Sequence, residues 1–289
     1  MFNVSTAQKQ YLTYILEDKT TNSILEIVPE RGGIATKWSV EGQDIFYLDE
    51  ERFKDSNLSV RGGNPILFPI CGNIVDDTYT YNSQEYKLKQ HGFARNLPWT
   101  VVSQSTEDSA KITFSLASNE ETLKVFPFEF EIIYTYELKG NTLTLHQSYT
   151  NKSEQRMPFS FGFHPYFVCA DKEQLSLDFP ATEYQWKDGN ETIAFDGELD
   201  YNLDEIDIAF TKLSGSKASF TDGKRNLKVD LDFSDCFSTL VFWTLKGKDF
   251  ICVEPWSSPR NSMNTGDNLL FLPPQETYNA TFSIVVSNQ

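Results

Sequence analysis

Glu254 is the side chain in this sequence that best combines reactive chemistry with a constrained setting. It follows the apolar run Phe250-Ile251-Cys252-Val253 and precedes Pro255-Trp256. A carboxylate at the end of a buried strand is costly unless it is paired or used, and burial raises its pKa towards that of a working base. The reading is therefore a catalytic carboxylate, against the alternative of a partner for a nearby arginine or lysine. His164 stands in Phe159-Ser160-Phe161-Gly162-Phe163-His164-Pro165-Tyr166-Phe167. A residue before proline is pushed towards extended backbone, so this imidazole sits on a specified path, and burial among aromatics tunes its titration. The alternative is a core histidine bonded to a carbonyl.

Two further segments interrupt the pattern around them. Arg61 opens Arg61-Gly62-Gly63-Asn64-Pro65-Ile66-Leu67-Phe68-Pro69-Ile70-Cys71-Gly72-Asn73. Its glycines allow close backbone approach, and its prolines fix the path without ladder hydrogen bonds. A bulge with an exposed arginine is the plainer reading. His91 and Arg95 share Gln90-His91-Gly92-Phe93-Ala94-Arg95-Asn96-Leu97-Pro98-Trp99, a loop able to present donors to a ligand. A structural histidine and a surface charge remain open there.

The elements that must position these residues read as strands. Short apolar-polar alternations recur, while sustained helical stripes are nearly absent. Strands are expected at Tyr11 to Glu17, Ser23 to Val28, Ile34 to Val40, Asp44 to Leu48, Lys111 to Leu116, Glu129 to Leu138 and Thr142 to Thr150. Others are expected at Gln174 to Phe179, Leu227 to Phe233, Thr239 to Thr244, Phe250 to Val253 and Tyr278 to Val286. Lys139-Gly140-Asn141, Asp188-Gly189-Asn190, Asp222-Gly223 and Gly247-Lys248 supply turns. Ser118 and Glu121 have capping-box spacing for one short helix, and Glu50 to Asp55 suggests another. His146, on the side of its strand opposite Leu143 and Leu145, reads as solvated. The expectation is an all-β fold of antiparallel sheets packed face to face, with residues 1–289 forming one domain.

Composition limits what such a domain does. The chain has 289 residues, 14% of them aromatic, enough for a real core. Its 25 Lys+Arg against 41 Asp+Glu leave a net charge of −16, which disfavours nucleic acid and anionic membrane surfaces. No cationic n-region with an apolar stretch opens the sequence and no window is long and apolar enough for a membrane span, so a cytoplasmic location is expected. Cys71, Cys169, Cys236 and Cys252 form no Cys-x-x-Cys pair and read mostly as buried apolar residues in a reducing compartment. Three histidines without ligand spacing argue no metal site, and neither a phosphate-binding Gly-rich loop before a helix nor a Gly-x-Ser-x-Gly elbow is present.

In order, Arg61-Gly62-Gly63-x-Pro65, His91-Gly92-Phe93-Ala94-Arg95, Gly162-Phe163-His164-Pro165-Tyr166-Phe167 and Val253-Glu254-Pro255 resemble the aldose 1-epimerase (galactose mutarotase) family. The similarity points to the bacterial branch related to lactose-operon mutarotase-like proteins. Each motif is weak alone, while the ordered set is specific. The resemblance implies an antiparallel β-supersandwich and an enzyme interconverting α and β anomers of an aldohexose without metal or cofactor. By matching position, Glu254 is the general base on the C1 hydroxyl, and His164 is the general acid on the ring oxygen. His91 holds and polarises the sugar, Arg61 and Arg95 are further donors, and Asp207 matches a hydroxyl-binding aspartate on a poorer local motif. Such chemistry needs an ionised glutamate and a histidine able to donate near neutrality. A small-molecule sugar is the expected partner, with no nucleic acid or membrane, and the chain is expected to be a monomer or weak homodimer.

One departure concerns Asn73, where relatives often carry arginine, so that a guanidinium is either missing or supplied by Arg61. The first two motifs also resemble hexose-6-phosphate epimerases, whose arginines grip a phosphate. A noncatalytic carbohydrate-binding protein on the same scaffold is a further alternative.

Overall fold

A computed structural model describes residues 1–56, 58–189 and 191–288. Three antiparallel sheets dominate the chain. The first runs in sequence order through Phe2–Gln8, Leu12–Asp18, Ser23–Val28, Ile34–Val40 and Gln43–Asp44. The second, of eight strands, has at its centre Thr277–Asn288, Thr142–Asn151 and Phe130–Lys139. The third carries Glu205–Phe210, Thr239–Leu245 and Phe250–Trp256 side by side, with Gly162–Phe163 and Ile66–Leu67 beyond them. The β-supersandwich expectation is met.

Alternation explains the strands. Along Phe130–Lys139, Phe130, Ile132, Tyr134, Tyr136 and Leu138 are buried, and on the adjoining strand Leu143, Leu145 and Tyr149 meet them. His146 points outward and bonds Glu137 at 2.9 Å, as expected of a solvated position. Phe68 occupies the core, with the rings of Phe130 at 5.0 Å, Tyr149 at 5.8 Å and Phe93 at 5.9 Å. Its segment reaches that depth through Gly63, where an added Cβ would lie 2.2 Å from the Ala35 carbonyl oxygen. Burial of such rings supplies the main favourable term of folding.

Several local expectations shift. The helix is Glu120–Val125, one residue later than the Ser118 reading: Asn119 caps it, exchanging bonds of 2.9 and 2.8 Å with Thr122. Ser118 instead accepts the Phe130 N–H, because the preceding strand continues to Ala117. The Asp44 to Leu48 strand reduces to Gln43–Asp44 plus isolated bridges, since Phe46 pairs with Phe167 and Leu48 with Gly62 in separate segments. Conversely, the Phe250 strand extends past Val253 to Trp256, with Pro255 opposite Leu240. Of the Asp188-Gly189-Asn190 turn, Asn190 lies outside the described residues, while Gly189 N–H closes onto the Trp186 carbonyl. The helix at Glu50–Lys54 forms as expected, and all four cysteines are free. Among the described residues, no helix is long and apolar enough to cross a membrane.

Candidate active site

The third sheet turns its two faces to different uses. On Phe250–Trp256, Ile251 and Val253 enter the main core, while the alternate positions Cys252, Glu254 and Trp256 face the other way. Register places Cys252 opposite Trp243 and Trp243 opposite Asp207, so side chains from three strands make one row across the sheet. Over this face lies a cleft of about 200 Å³, its wall overwhelmingly polar. Arg61, His91, Arg95, His164, Asp207 and Glu254, all six residues singled out from the sequence, line it.

Glu254 is 1% exposed. Its Oε2 accepts the Trp256 indole N–H at 3.1 Å, and its Oε1 lies 3.3 Å from His164 Nδ1. That second approach is close enough for proton exchange but is not aligned as a hydrogen bond, and Nδ1 makes no other. The Pro165 constraint acts on His164 as expected: its backbone N–H reaches the Pro65 carbonyl at 3.1 Å, and its ring stacks on Tyr166 at 4.7 Å and 6°. His91 is gripped from both sides of its peptide, with its N–H on the Gly72 carbonyl at 2.7 Å and its Nδ1 accepting the Gly72 N–H at 3.1 Å. Its ring proton therefore resides on Nε2, leaving a neutral donor.

Burial dominates the electrostatics of the pair. Burial, then the Arg95 charge, pushes His164 down to about 3. Burial, then Asp207, raises Glu254 well above the carboxylate range against the pull of Arg260, the Trp256 N–H and Arg95. His91 is likewise driven well down, by burial first and Arg95 second. Burial thus favours a neutral imidazole and a protonated carboxyl, whereas the reaction calls for an ionised glutamate and a donating histidine. The physical reason is desolvation, which opposes charge on both members of a dry pair.

The cations divide into two sets. Asp207 is held by Arg260 at 2.5 Å and Lys187 at 3.4 Å, so much of its acceptor capacity is engaged. Arg95 donates to the Gln90 carbonyl at 3.0 Å, while Arg61 sits 5.8 Å over Trp243. No carboxylate among the described residues forms an ion pair with either.

Arg260, Lys187, Trp243 and Trp256 were not singled out from the sequence as site residues. Arg260 corrects the Asn73 expectation: its Cγ occupies the space a side chain at Gly72 would need, and its guanidinium lies 5.1 Å over Trp256. A cationic group is therefore present beside Gly72, from Arg260 rather than Arg61, while the Asn73 carbonyl accepts the Asn261 N–H. Its signal was the Pro259-Arg260 turn only six positions beyond Glu254, which no local pattern marks.

His164 Nδ1, Cys252 Sγ and a Glu254 oxygen lie within 4.8 Å of one another, the one such grouping found among the described residues. Burial raises the Cys252 thiol well above its ordinary pKa, so the group is held as a thiol, a poor metal ligand. The arrangement suits proton transfer to and from a polar, ring-sized ligand.

The chain is similar to known proteins over most of its length. The family model described as aldose 1-epimerase matches residues 15–285. Protein LacX, plasmid form, of Lactococcus lactis subsp. lactis is 30% identical, covering 93% of this chain and 92% of its own. The crystal structure of Slr1438 protein from Synechocystis sp. PCC 6803 superposes with a TM-score of 0.96 at 46% identity, covering all of both chains (100% and 100%). A galactose mutarotase-like protein from Clostridium acetobutylicum shares the fold, with a TM-score of 0.85 at 22% identity over 100% of this chain and 99% of its own.

Proposed function

Since this chain belongs to the aldose 1-epimerase family, we propose that it interconverts the α and β anomers of an aldohexose by acid-base ring opening. One observation carries the reading: Glu254 and His164, both buried, meet at 3.3 Å at the floor of a polar cleft. A binding protein has no need to bury a carboxylate against an imidazole, an arrangement that desolvation opposes.

Glu254 takes the proton from the C1 hydroxyl while His164 delivers one to the ring oxygen. The bond between C1 and the ring oxygen breaks, and C1 becomes a carbonyl. Rotation about C1–C2 presents the other carbonyl face, and closure returns both protons with the roles exchanged. The resting pair already holds what this needs. Passing the carboxyl proton from Oε1 to Nδ1 converts the neutral pair into carboxylate and imidazolium, leaving Nε2–H to donate. Arg95 and Arg260 favour the carboxylate so formed, and the sugar's hydroxyls replace part of the missing solvent. His91, as a neutral Nε2 donor, polarises a sugar oxygen. Only protons move, so no electron or group carrier is required.

A second reading is favoured by Arg61 and Arg95, which form no ion pair with a carboxylate among the described residues: a hexose bearing a 6-phosphate. Three of the seven arginines in a chain of net charge −16 line this cleft. The test is polarimetric relaxation of fresh α-D-glucose and α-D-galactose beside an anomer-specific coupled assay on glucose 6-phosphate, with wild type and Glu254→Gln. Acceleration of free sugars, lost in the variant, supports the first reading. Acceleration of the phosphate ester alone supports the second, and none with any of the three overturns catalysis on these substrates.

A further inference from the structure

Trp256 touches more of the catalytic arrangement than any hydroxyl-binding role would require. Its indole Nε1–H donates to Glu254 Oε2 at 3.1 Å, an i to i+2 contact along one face of a strand. Its ring meets His91 edge-on at 5.5 Å and carries the Arg260 guanidinium at 5.1 Å, and Arg260 in turn holds Asp207. The ring is 1% exposed and packs with Leu67, Cys71 and Val241, so it has no freedom to release the carboxylate. The two oxygens of Glu254 are therefore unequal: Oε2 is occupied by a fixed donor, and Oε1 faces His164.

We propose that Trp256 is a positioning residue for Glu254: its indole N–H clamps Oε2, selects Oε1 as the oxygen that exchanges protons, and stabilises the ionised carboxylate when the reaction forms it. This inference rests on Glu254 being the catalytic carboxylate. An indole N–H donates and never accepts, so it favours the charged acceptor over the neutral one. The groups around Glu254 act in both directions. Asp207 from the Glu205–Phe210 strand opposes its charge, whereas Arg95 and Arg260 from the cleft loops favour it. Cys252 on its own strand, Cys71, Tyr166, His91 and His164 complete the titratable surroundings, and Lys187 stands beyond Asp207. Among these Trp256 is an uncharged donor, so its contribution resists screening by salt.

The experiment is the pH dependence of kcat/KM for whichever sugar wild type accelerates, compared with Trp256→Phe, which keeps an aromatic ring and removes only the donor. The alkaline limb, where the pair loses the one proton it shares, should move upward by about one pH unit, with the acid limb left in place. A uniformly lowered profile with an unmoved alkaline limb overturns the proposal, because that is what a packing role produces. A second readout needs neither turnover nor a folded Trp256 variant. In the NMR spectrum of ¹⁵N-labelled protein, five tryptophans give five indole N–H signals, and Trp256 is assigned by paramagnetic or proximity contacts to His91. That signal should shift in Glu254→Gln and follow a single titration in wild type that Glu254→Gln abolishes. An indole signal indifferent to both overturns the clamp. If wild type accelerates no sugar yet the indole titrates with Glu254, the clamp stands and the catalytic reading fails, so the two are separable.

Discussion

Two clefts of the molecule differ in how their charges are answered, and the larger is the more fully paired. About 480 Å³ opens beside the five-stranded sheet, lined by Lys9, Lys37, Lys54, Tyr11, Tyr47 and Phe53 among others. Its cations are each answered: Lys9 by Glu26 at 2.5 Å, Lys37 by Asp44 at 3.6 Å, and Lys54 by Glu51 at 2.5 Å. The smaller cleft, about 200 Å³, contains a buried carboxylate, two buried imidazoles and two arginines that form no ion pair with a carboxylate among the described residues. Volume alone would choose the cleft whose cations are already paired. Incomplete electrostatic satisfaction chooses the other, because groups that protein partners leave unmet are available to substrate.

The most severe way to break this contrast is to remove its chemistry. Glu254→Gln and, separately, His164→Asn should each lower the relaxation rate constant by about 10²–10⁴-fold, measured by polarimetry. A loss below tenfold in both would return the small cleft to the same footing as the large one. Next comes the pH dependence of stability, read as urea unfolding across pH 4 to 8. His164 is depressed from 6.5 to about 3, so below 6.5 the unfolded chain binds a proton that the folded one refuses. Stability from this group is complete above 6.5 and falls as pH drops towards 3. His91 acts in the same sense. Glu254, raised above 4.5, acts oppositely: the folded chain keeps a proton that the unfolded chain releases, so stability falls as pH rises from 4.5 through its folded value. Glu254→Gln should therefore lose stability more steeply than wild type as pH falls from 6.5 to 4.5, by about one proton's linkage per pH unit, and should be stabilised relative to wild type at pH 7. Parallel curves for the two proteins would contradict this account.

Arg95→Gln sharpens the comparison at the substrate. A phosphate ester should lose about tenfold or more in kcat/KM while a free hexose loses less, and equal losses would remove the case for an anionic substituent. Smallest is Lys37→Ala in the large cleft, with no change in relaxation rate and a stability change within about 0.5 kcal/mol, as for other exposed ion pairs.

How legible the site was depended on how each residue is placed. Glu254, His164, His91 and Arg61 lie in segments where glycine or proline interrupts strand alternation, so the chain itself marks them. Lys187 and Arg260 carry no such mark: their place arises from contacts with Asp207 across sequence gaps of 20 and 53 residues. Trp256 carries no mark either, since it lies past Val253, where the strand expected from the sequence ends. Once the ladder continues through Pro255, the common face of Glu254 and Trp256 follows from strand period. Long strands such as Thr142–Asn151 were readable, whereas two-residue strands such as Gly162–Phe163 and Ile66–Leu67 are too short for any period to show. Protonation state was not readable at all, since it depends on burial from several elements together.

The Gly32 turn ties the beginning of the chain to this chemistry. A Cβ at Gly32 would lie 2.2 Å from the Arg95 carbonyl oxygen, and the Trp99 N–H bonds the Pro29 carbonyl at 3.0 Å. The first sheet is thus a mould for the backbone that carries Arg95. In recombination between relatives, residues 29–33 and 94–99 should behave as one heritable block, and a crossover between them should yield mismatched hybrids even where both parents are active.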